Sequence, residues 1–281
     1  MRAAAVQLNS THDVAANMSA ADRLTRAAAA DGADLVVLPE KFNLLGTHEQ
    51  FRAGAEPLDG PTVDWATRTA AELGIDLVSG SFVERREGHD RLGNTSVHVG
   101  PDGELRGVYR KIHMFDVTVE GTEYRESESH EPGQDIVTSP AEGALLGLTV
   151  CYDLRFPELY RILTVRGARI LAVPSAFTAA TGAAHWDTLL RARAIENQAF
   201  VVAADQIGPS PPGNHSFGGS QIVDPWGDVL ARAPDSSAGP SEPCFVAADI
   251  DLARLEEVRA TLPSLRNRVP SAYRWEREVT A

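Results

Sequence analysis

Short, dense apolar runs alternate along the chain with longer stretches in which apolar side chains recur every three or four positions. The first run, RAAAVQL, reads as a buried strand, and an alanine-rich helix follows from Asp13 to Asp31, closed by Gly32. DLVVLPE is a second strand, with Glu40 directly beyond Pro39. PTVDWATRTAAELG starts on Pro61 and stops on Gly74, a helix punctuated at both ends. IDLVSGSFVE, NTSVHVG and GVYRKIHMF are strand-like runs separated by polar or glycine-containing turns. With no helix between them, they are expected as antiparallel neighbours.

ALLGLTV is another buried strand and ends at Cys151. Pro157 then opens a helix whose Leu159, Ile162 and Leu163 share a face, and Gly167 ends it. RILAVPSAF repeats the strand, and AAHWDTLLRARAIENQ repeats the helix with Trp186, Leu189, Leu190 and Ala194 on one side. AFVVAAD, SQIVDPWG and CFVAADID are late strands, and Asp251 caps the helix LARLEEVRATL. IGPSPPGNHSFGG, residues 207–219, reads as a loop and a candidate lid. No short-period repeat, low-complexity block or long linker interrupts the pattern. The expectation is a single domain over residues 1–281, mixing βα units with antiparallel strands rather than forming a simple doubly wound sheet.

Composition narrows the partners more than the chemistry. A formal net charge of −13 argues against a nucleic-acid groove and against anionic lipid. Only Cys151 and Cys244 are present, far too few for a disulfide-stapled secreted scaffold. The N-terminus lacks a signal-like apolar stretch with its flanks, and no apolar run of about 18 residues occurs, so a reducing cytoplasm is expected.

Three residues share a setting. Glu40, Lys111 and Cys151 each lie at or just beyond the C-terminal end of an expected strand, where reactive groups gather in sheets with βα connections. Each has a plain alternative. Cys151 also reads as an inert buried thiol, Glu40 as a solvated loop carboxylate and Lys111 as part of a charged strand face. In favour of reactivity, the polar turn between Cys151 and Pro157 is placed to aim backbone N–H groups at an anion. Cys244 has no such setting.

The segments LVVLPEKF, GVYRKIHMFD and LTVCYDLRFPELYR resemble the three signature regions of the nitrilase superfamily of carbon–nitrogen hydrolases. PSAFTAATGAAHWDTLLRARAIENQAFVVAADQ and SQIVDPWGDVLA continue the similarity in the expected order, across nearly the whole chain. The resemblance implies an α/β fold (α+β mixed) of the four-layer α-β-β-α sandwich kind, with a catalytic set of Glu40, Lys111 and Cys151. It implies Glu40 as the proton acceptor, and Lys111 with the backbone N–H of Tyr152 as oxyanion donors, the loss of one such donor raising the barrier by about 3 kcal/mol. A second glutamate is implied in TEYRESESHEPG, where Glu126 is favoured over Glu123, Glu128 and Glu131.

Arg155, in CYDLRF, is a candidate for gripping a substrate carboxylate; the alternative is a salt bridge to Asp153 or Glu158. Ser175 and Phe177, in PSAF, are further substrate-binding candidates. CYDLRF, PSAF and RARAIENQ resemble deaminated glutathione amidases, with omega-amidases acting on 2-oxoglutaramate next, and nitrilases or carbamoylases further off. The expected reaction is hydrolysis of a carboxylate-bearing amide through a thioester.

No cofactor and no metal are implied: no GxGxxG follows a strand, and His113, His130, His185 and His215 show no HExxH spacing. A serine hydrolase would need a nucleophile elbow, and NHSFG around Ser216 lacks its first glycine. A scaffold with a decayed site is the remaining alternative, against which the three retained groups speak. Related proteins pair so that their sheets stack. The apolar and aromatic tail, residues 263–281, suits that role, so a homodimer or larger homo-oligomer is expected, with no nucleic acid and no membrane.

Overall fold

The architecture follows from strands whose two faces are both apolar. In a computed structural model describing residues 1–210, 213–239 and 242–273, the first strand, β1 (Arg2–Gln7), splits its small side chains between two cores. Ala3 and Ala5 meet Leu35, Val37 and Val78 in the layer between the sheets, while Ala4 and Val6 meet helical residues on the outside. That alternation within an all-apolar run makes the sheet a middle layer.

The elements in chain order are β1, α1 (Val14–Ala30), β2 (Leu35–Val37), α2 (His48–Gly54), α3 (Pro61–Leu73), β3 (Asp76–Val78), β4 (Phe82–Glu84), β5 (Gly93–Val99) and β6 (Leu105–Arg110). Then come β7 (Asp116–Val119), β8 (Thr122–Arg125), β9 (Thr138–Ala141), β10 (Ala144–Leu148), α4 (Pro157–Val165), β11 (Ile170–Ser175), α5 (Ala179–Asn197) and β12 (Phe200–Asp205). The chain closes with β13 (Ile207–Ser210), β14 (Asn214–Phe217), β15 (Gln221–Val223), β16 (Val229–Arg232), β17 (Cys244–Asp249) and α6 (Leu252–Thr261).

One sheet runs β17-β1-β2-β3-β5, with β4 and β6 also paired to β5; the other runs β16-β15-β12-β11-β10-β9. β1–β2–β3 and β10–β11–β12 are parallel, and β5 is antiparallel to β3, β4 and β6, as expected for segments without intervening helices. The sheets face each other through β1, β2, β11 and β12, while α1 and α3 cover one outer face and α4 and α5 the other. This is the four-layer α-β-β-α sandwich. Helix ends fall where the sequence places them: Asp13 accepts from the Ala16 N–H at 3.0 Å, Asp251 accepts from the Ala253 N–H at 2.9 Å, and Gly74 closes α3 at φ 66°.

Three expectations change. IDLVSGSFVE is two strands, not one, because the chain bends at Gly80 (φ 63°), where an added Cβ would lie 2.0 Å from the Pro39 carbonyl oxygen. The run GVYRKIHMF ends as a strand at Arg110, and the following DVTVEGTEYR forms the hairpin β7–β8, whose turn residues Glu120 and Gly121 both have positive φ. The expected loop 207–219 is largely the hairpin β13–β14, with positions 211–212 outside the described residues. Of the tail, residues 274–281 also lie outside them, and Leu262, Val269 and Tyr273 are exposed.

Candidate active site

The three strand-end residues converge between the sheets. Pro39 ends β2's extension, and Glu40 is anchored by its own N–H to the Ser175 carbonyl at 3.3 Å and by the Gln206 amide to its carbonyl at 3.1 Å. Gly80 and Ser81 buttress the same turn: the Ser81 N–H donates to the Pro39 carbonyl, and the Ser81 hydroxyl accepts from the Lys41 N–H at 3.0 Å. The bend that divides the expected strand therefore supports the corner that carries Glu40.

Lys111, the first residue after β6, lies 2% exposed with Nζ 3.1 Å from Glu40 Oε1 and 2.7 Å from Glu126 Oε2. Asn94, on β5, donates to both carboxylates, at 2.7 Å to Glu40 and 3.1 Å to Glu126. Glu126 also accepts from the Phe115 N–H at 2.9 Å, and Glu40 Oε2 from the Ala176 N–H at 3.0 Å. Burial acts to lower the Lys111 pKa, but the charges of Glu126 and Glu40 outweigh it and hold the ammonium well above its ordinary value. Burial likewise acts to raise Glu126, and Lys111 with Lys41 overrides it, leaving the carboxyl well below its usual range.

Cys151 opens a turn of 3-10 helix, Cys151–Arg155, that runs into α4. Its φ of 49° lies in the left-handed region, a strained choice for a residue with a Cβ. The turn is held by Asp153, which is fully buried and accepts from the Val150 N–H at 2.8 Å, the Tyr109 hydroxyl at 2.6 Å and the His113 ring at 2.7 Å. The Tyr152 N–H, at the start of the turn, has no backbone acceptor among the described residues. Burial and then the Glu40 charge push the thiol pKa well up, while Lys111 and the Ala176 N–H pull it down.

These groups line a cavity of about 520 Å³. Phe177 and Tyr152 form part of its wall, and Arg155 lies over both rings, 5.2 Å and 5.9 Å from their centroids. Among the described residues, Arg155 pairs with neither Asp153 nor Glu158, and its one hydrogen-bond neighbour is the His185 ring at 3.3 Å. Among the acidic residues near 126, Glu123 pairs with Arg125, Glu128 faces His48, and Glu131 pairs with Arg86, so only Glu126 joins Lys111. Ser175 does not line the cavity: its hydroxyl faces the Val173 carbonyl at 3.4 Å, and its useful atom is the carbonyl that holds Glu40. Sequence reasoning missed Lys41, Asn94 and His130. Only Lys41 carried a signal, as the immediate neighbour of Glu40.

A carboxylate, an ammonium and a thiol sealed at the floor of a cavity on an α-β-β-α sandwich define a hydrolase of carbon–nitrogen bonds. The chain belongs to the carbon–nitrogen hydrolase family, whose model matches residues 2–260. It is 41% identical over 278 residues to the deaminated glutathione amidase of Bos taurus, covering 96% of this chain and 82% of the relative. It is 37% identical over 273 residues to the human omega-amidase NIT2, covering 97% and 96%. The solved structure of Saccharomyces cerevisiae Nit3, a member of branch 10 of the nitrilase superfamily, superposes with a TM-score of 0.83 at 32% identity, covering 94% of each chain. The protein is a nitrilase-superfamily amidase, acting on carbon–nitrogen bonds other than peptide bonds.

Proposed function

We propose that the protein is a cysteine-dependent amidase that hydrolyses a small carboxylate-bearing amide through a thioester acyl-enzyme. The observation that supports this most is the Lys111 ammonium bridging Glu40 and Glu126 beside Cys151 at the cavity floor. Glu40 takes the thiol proton as sulfur attacks the amide carbon, so no free thiolate has to persist at neutral pH. The Lys111 ammonium and the Tyr152 N–H receive the oxyanion. Glu40 then returns its proton to the departing nitrogen, which leaves as ammonia or an amine. A water enters, gives its proton to Glu40 and cleaves the thioester to the acid. Glu126 keeps the Lys111 ammonium placed and charged.

Arg155, with no carboxylate partner and a wall of aromatic faces, is suited to a substrate carboxylate. The preferred substrate is deaminated glutathione, in line with the relative of that name, and the second reading is 2-oxoglutaramate, in line with the omega-amidase. Steady-state kinetics on both amides and on a plain nitrile test the choice. The expected order of kcat/KM is deaminated glutathione, 2-oxoglutaramate, nitrile; equal rates on all three would contradict carboxylate reading by Arg155. We place the enzyme in a reducing cytoplasm because both of its cysteines are free and too few for a disulfide-stapled scaffold. The exposed Leu262, Val269 and Tyr273 suit a second copy of the chain, so sedimentation should give a homodimer or larger.

A further inference from the structure

Lys41 is the one charged residue at the cavity floor to which the reaction above gives no task. In an extended strand, consecutive side chains point to opposite faces, so Glu40 and its neighbour would not share a cavity. Here Lys41 takes φ 52°, its N–H tied to the Ser81 hydroxyl, and the turn brings both residues to the same floor. A non-glycine residue in that region is strained, and the surroundings over-determine it. The Lys41 side chain is 11% exposed, its Nζ lies 3.4 Å from Glu126 Oε1, and it sits 4.5 Å above the Phe51 ring.

The charges then come in pairs. Glu40 and Glu126 supply two carboxylates, and Lys111 and Lys41 supply two ammonium groups, all buried. His130 adds no third cation, because burial and then the Lys41 charge push its pKa down to about 3. Its Nδ1 lies 2.9 Å from the Ser129 hydroxyl, and its Nε2 has no partner among the described residues. Further out, His48 on α2 faces Glu128 at 3.9 Å. With only Lys111 present, the floor would hold two carboxylates against one cation, an excess negative charge beside the thiol that opposes its ionisation.

We propose that Lys41 is a positioning residue that shares Glu126 with Lys111, so that the two carboxylates of the floor face two ammonium groups and the second carboxylate does not oppose ionisation of the thiol. This rests on the catalytic reading above. The test separates the two by reading the sulfur without any amide substrate. Iodoacetamide alkylation of Cys151 is followed by peptide mass spectrometry from pH 7 to 11 in the wild type, Lys41→Met and Lys41→Arg, which also keeps Cys244 apart. Kinetics on the preferred amide and melting curves are recorded beside it. In Lys41→Met the alkylation midpoint is expected to rise by about one pH unit, and kcat/KM at pH 7 to fall by about tenfold. Lys41→Arg should restore both. Superimposable alkylation profiles for Lys41→Met and wild type would overturn the proposal, as would a shift that Lys41→Arg fails to reverse. An alkylation shift in Lys41→Met beside a wild type that turns over no amide would leave the charge balance standing and remove the catalytic reading.

Discussion

Two buried polar clusters sit within this sandwich, and both have the ingredients of a hydrolase. In one, Glu40, Lys111 and Cys151 meet on the cavity floor. In the other, Ser139 Oγ lies 2.7 Å from His98 Nδ1, and His98 Nε2 lies 3.0 Å from Asp76 Oδ1. On distances alone the second reads as a serine–histidine–aspartate string. Its members are no more than 2% exposed, none lines the cavity, and Asp76 is further occupied by Arg106 and the Glu142 N–H. An added Cβ on Gly107 would lie 2.8 Å from Ser139 Oγ, so the serine is wedged between β6 and β9. That cluster joins strands. The comparison teaches that access and unspent donors, not the list of residue types, separate chemistry from scaffolding. Among the described residues, the Tyr152 N–H at the cavity has no backbone acceptor and Arg155 has no carboxylate partner, whereas at His98 both ring nitrogens are already bonded.

The sharpest way to break this contrast is to delete one hydroxyl or thiol from each cluster. Cys151→Ala is expected to lower kcat/KM by at least about 10⁴-fold, with a melting temperature close to that of the wild type. Ser139→Ala should leave kcat/KM within about twofold. Loss of turnover in Ser139→Ala with its fold intact would make the second cluster a working site.

A smaller effect concerns stability. His98→Ala removes a fully buried ring and leaves Asp76 and Ser139 short of a partner, so urea unfolding should show a loss of about 3 kcal/mol, with kcat per folded molecule unchanged. A change under about 0.5 kcal/mol would show that the string does not hold the strands.

The smallest effect, taken per pH unit, is one of pH. The folded His130 pKa of about 3 lies below the ordinary 6.5, so below pH 6.5 the unfolded chain binds a proton that the folded chain refuses. Stability therefore falls as pH drops from about 6.5 toward about 3, by roughly 1.4 kcal/mol per pH unit, and is unaffected by this group above 6.5. Melts at pH 7, 5.5 and 4.5 should show that slope, and His130→Gln should flatten it. An unchanged slope would place the acid sensitivity elsewhere.

Much of this contrast was legible in the sequence, and the limits have physical causes. Glu40, Lys111 and Cys151 follow dense apolar runs, and strand ends are where side chains escape a packed sheet. The β1 run and the glycine- or aspartate-marked helix ends are equally local signals. Lys41 and Asn94 depend on the bend at Gly80 and on β5 passing beside β2's extension, which no local pattern encodes. The β7–β8 hairpin carries the turn pair Glu120-Gly121, but its residues are exposed on one face and only half-buried at Val117, Val119 and Tyr124 on the other, which gives a weak core signature. Ser175 was drawn in by its neighbours in PSAF; at the end of a buried strand its side chain turns inward and its carbonyl carries the role.

The account stands on sulfur becoming acylated. Brief exposure to a slow amide, acid quenching and peptide mass spectrometry should find the acyl mass on the peptide that carries Cys151, and find it absent in Cys151→Ala. Steady turnover with no adduct on that peptide, or an acyl group on Cys244 or Ser139 instead, would contradict it.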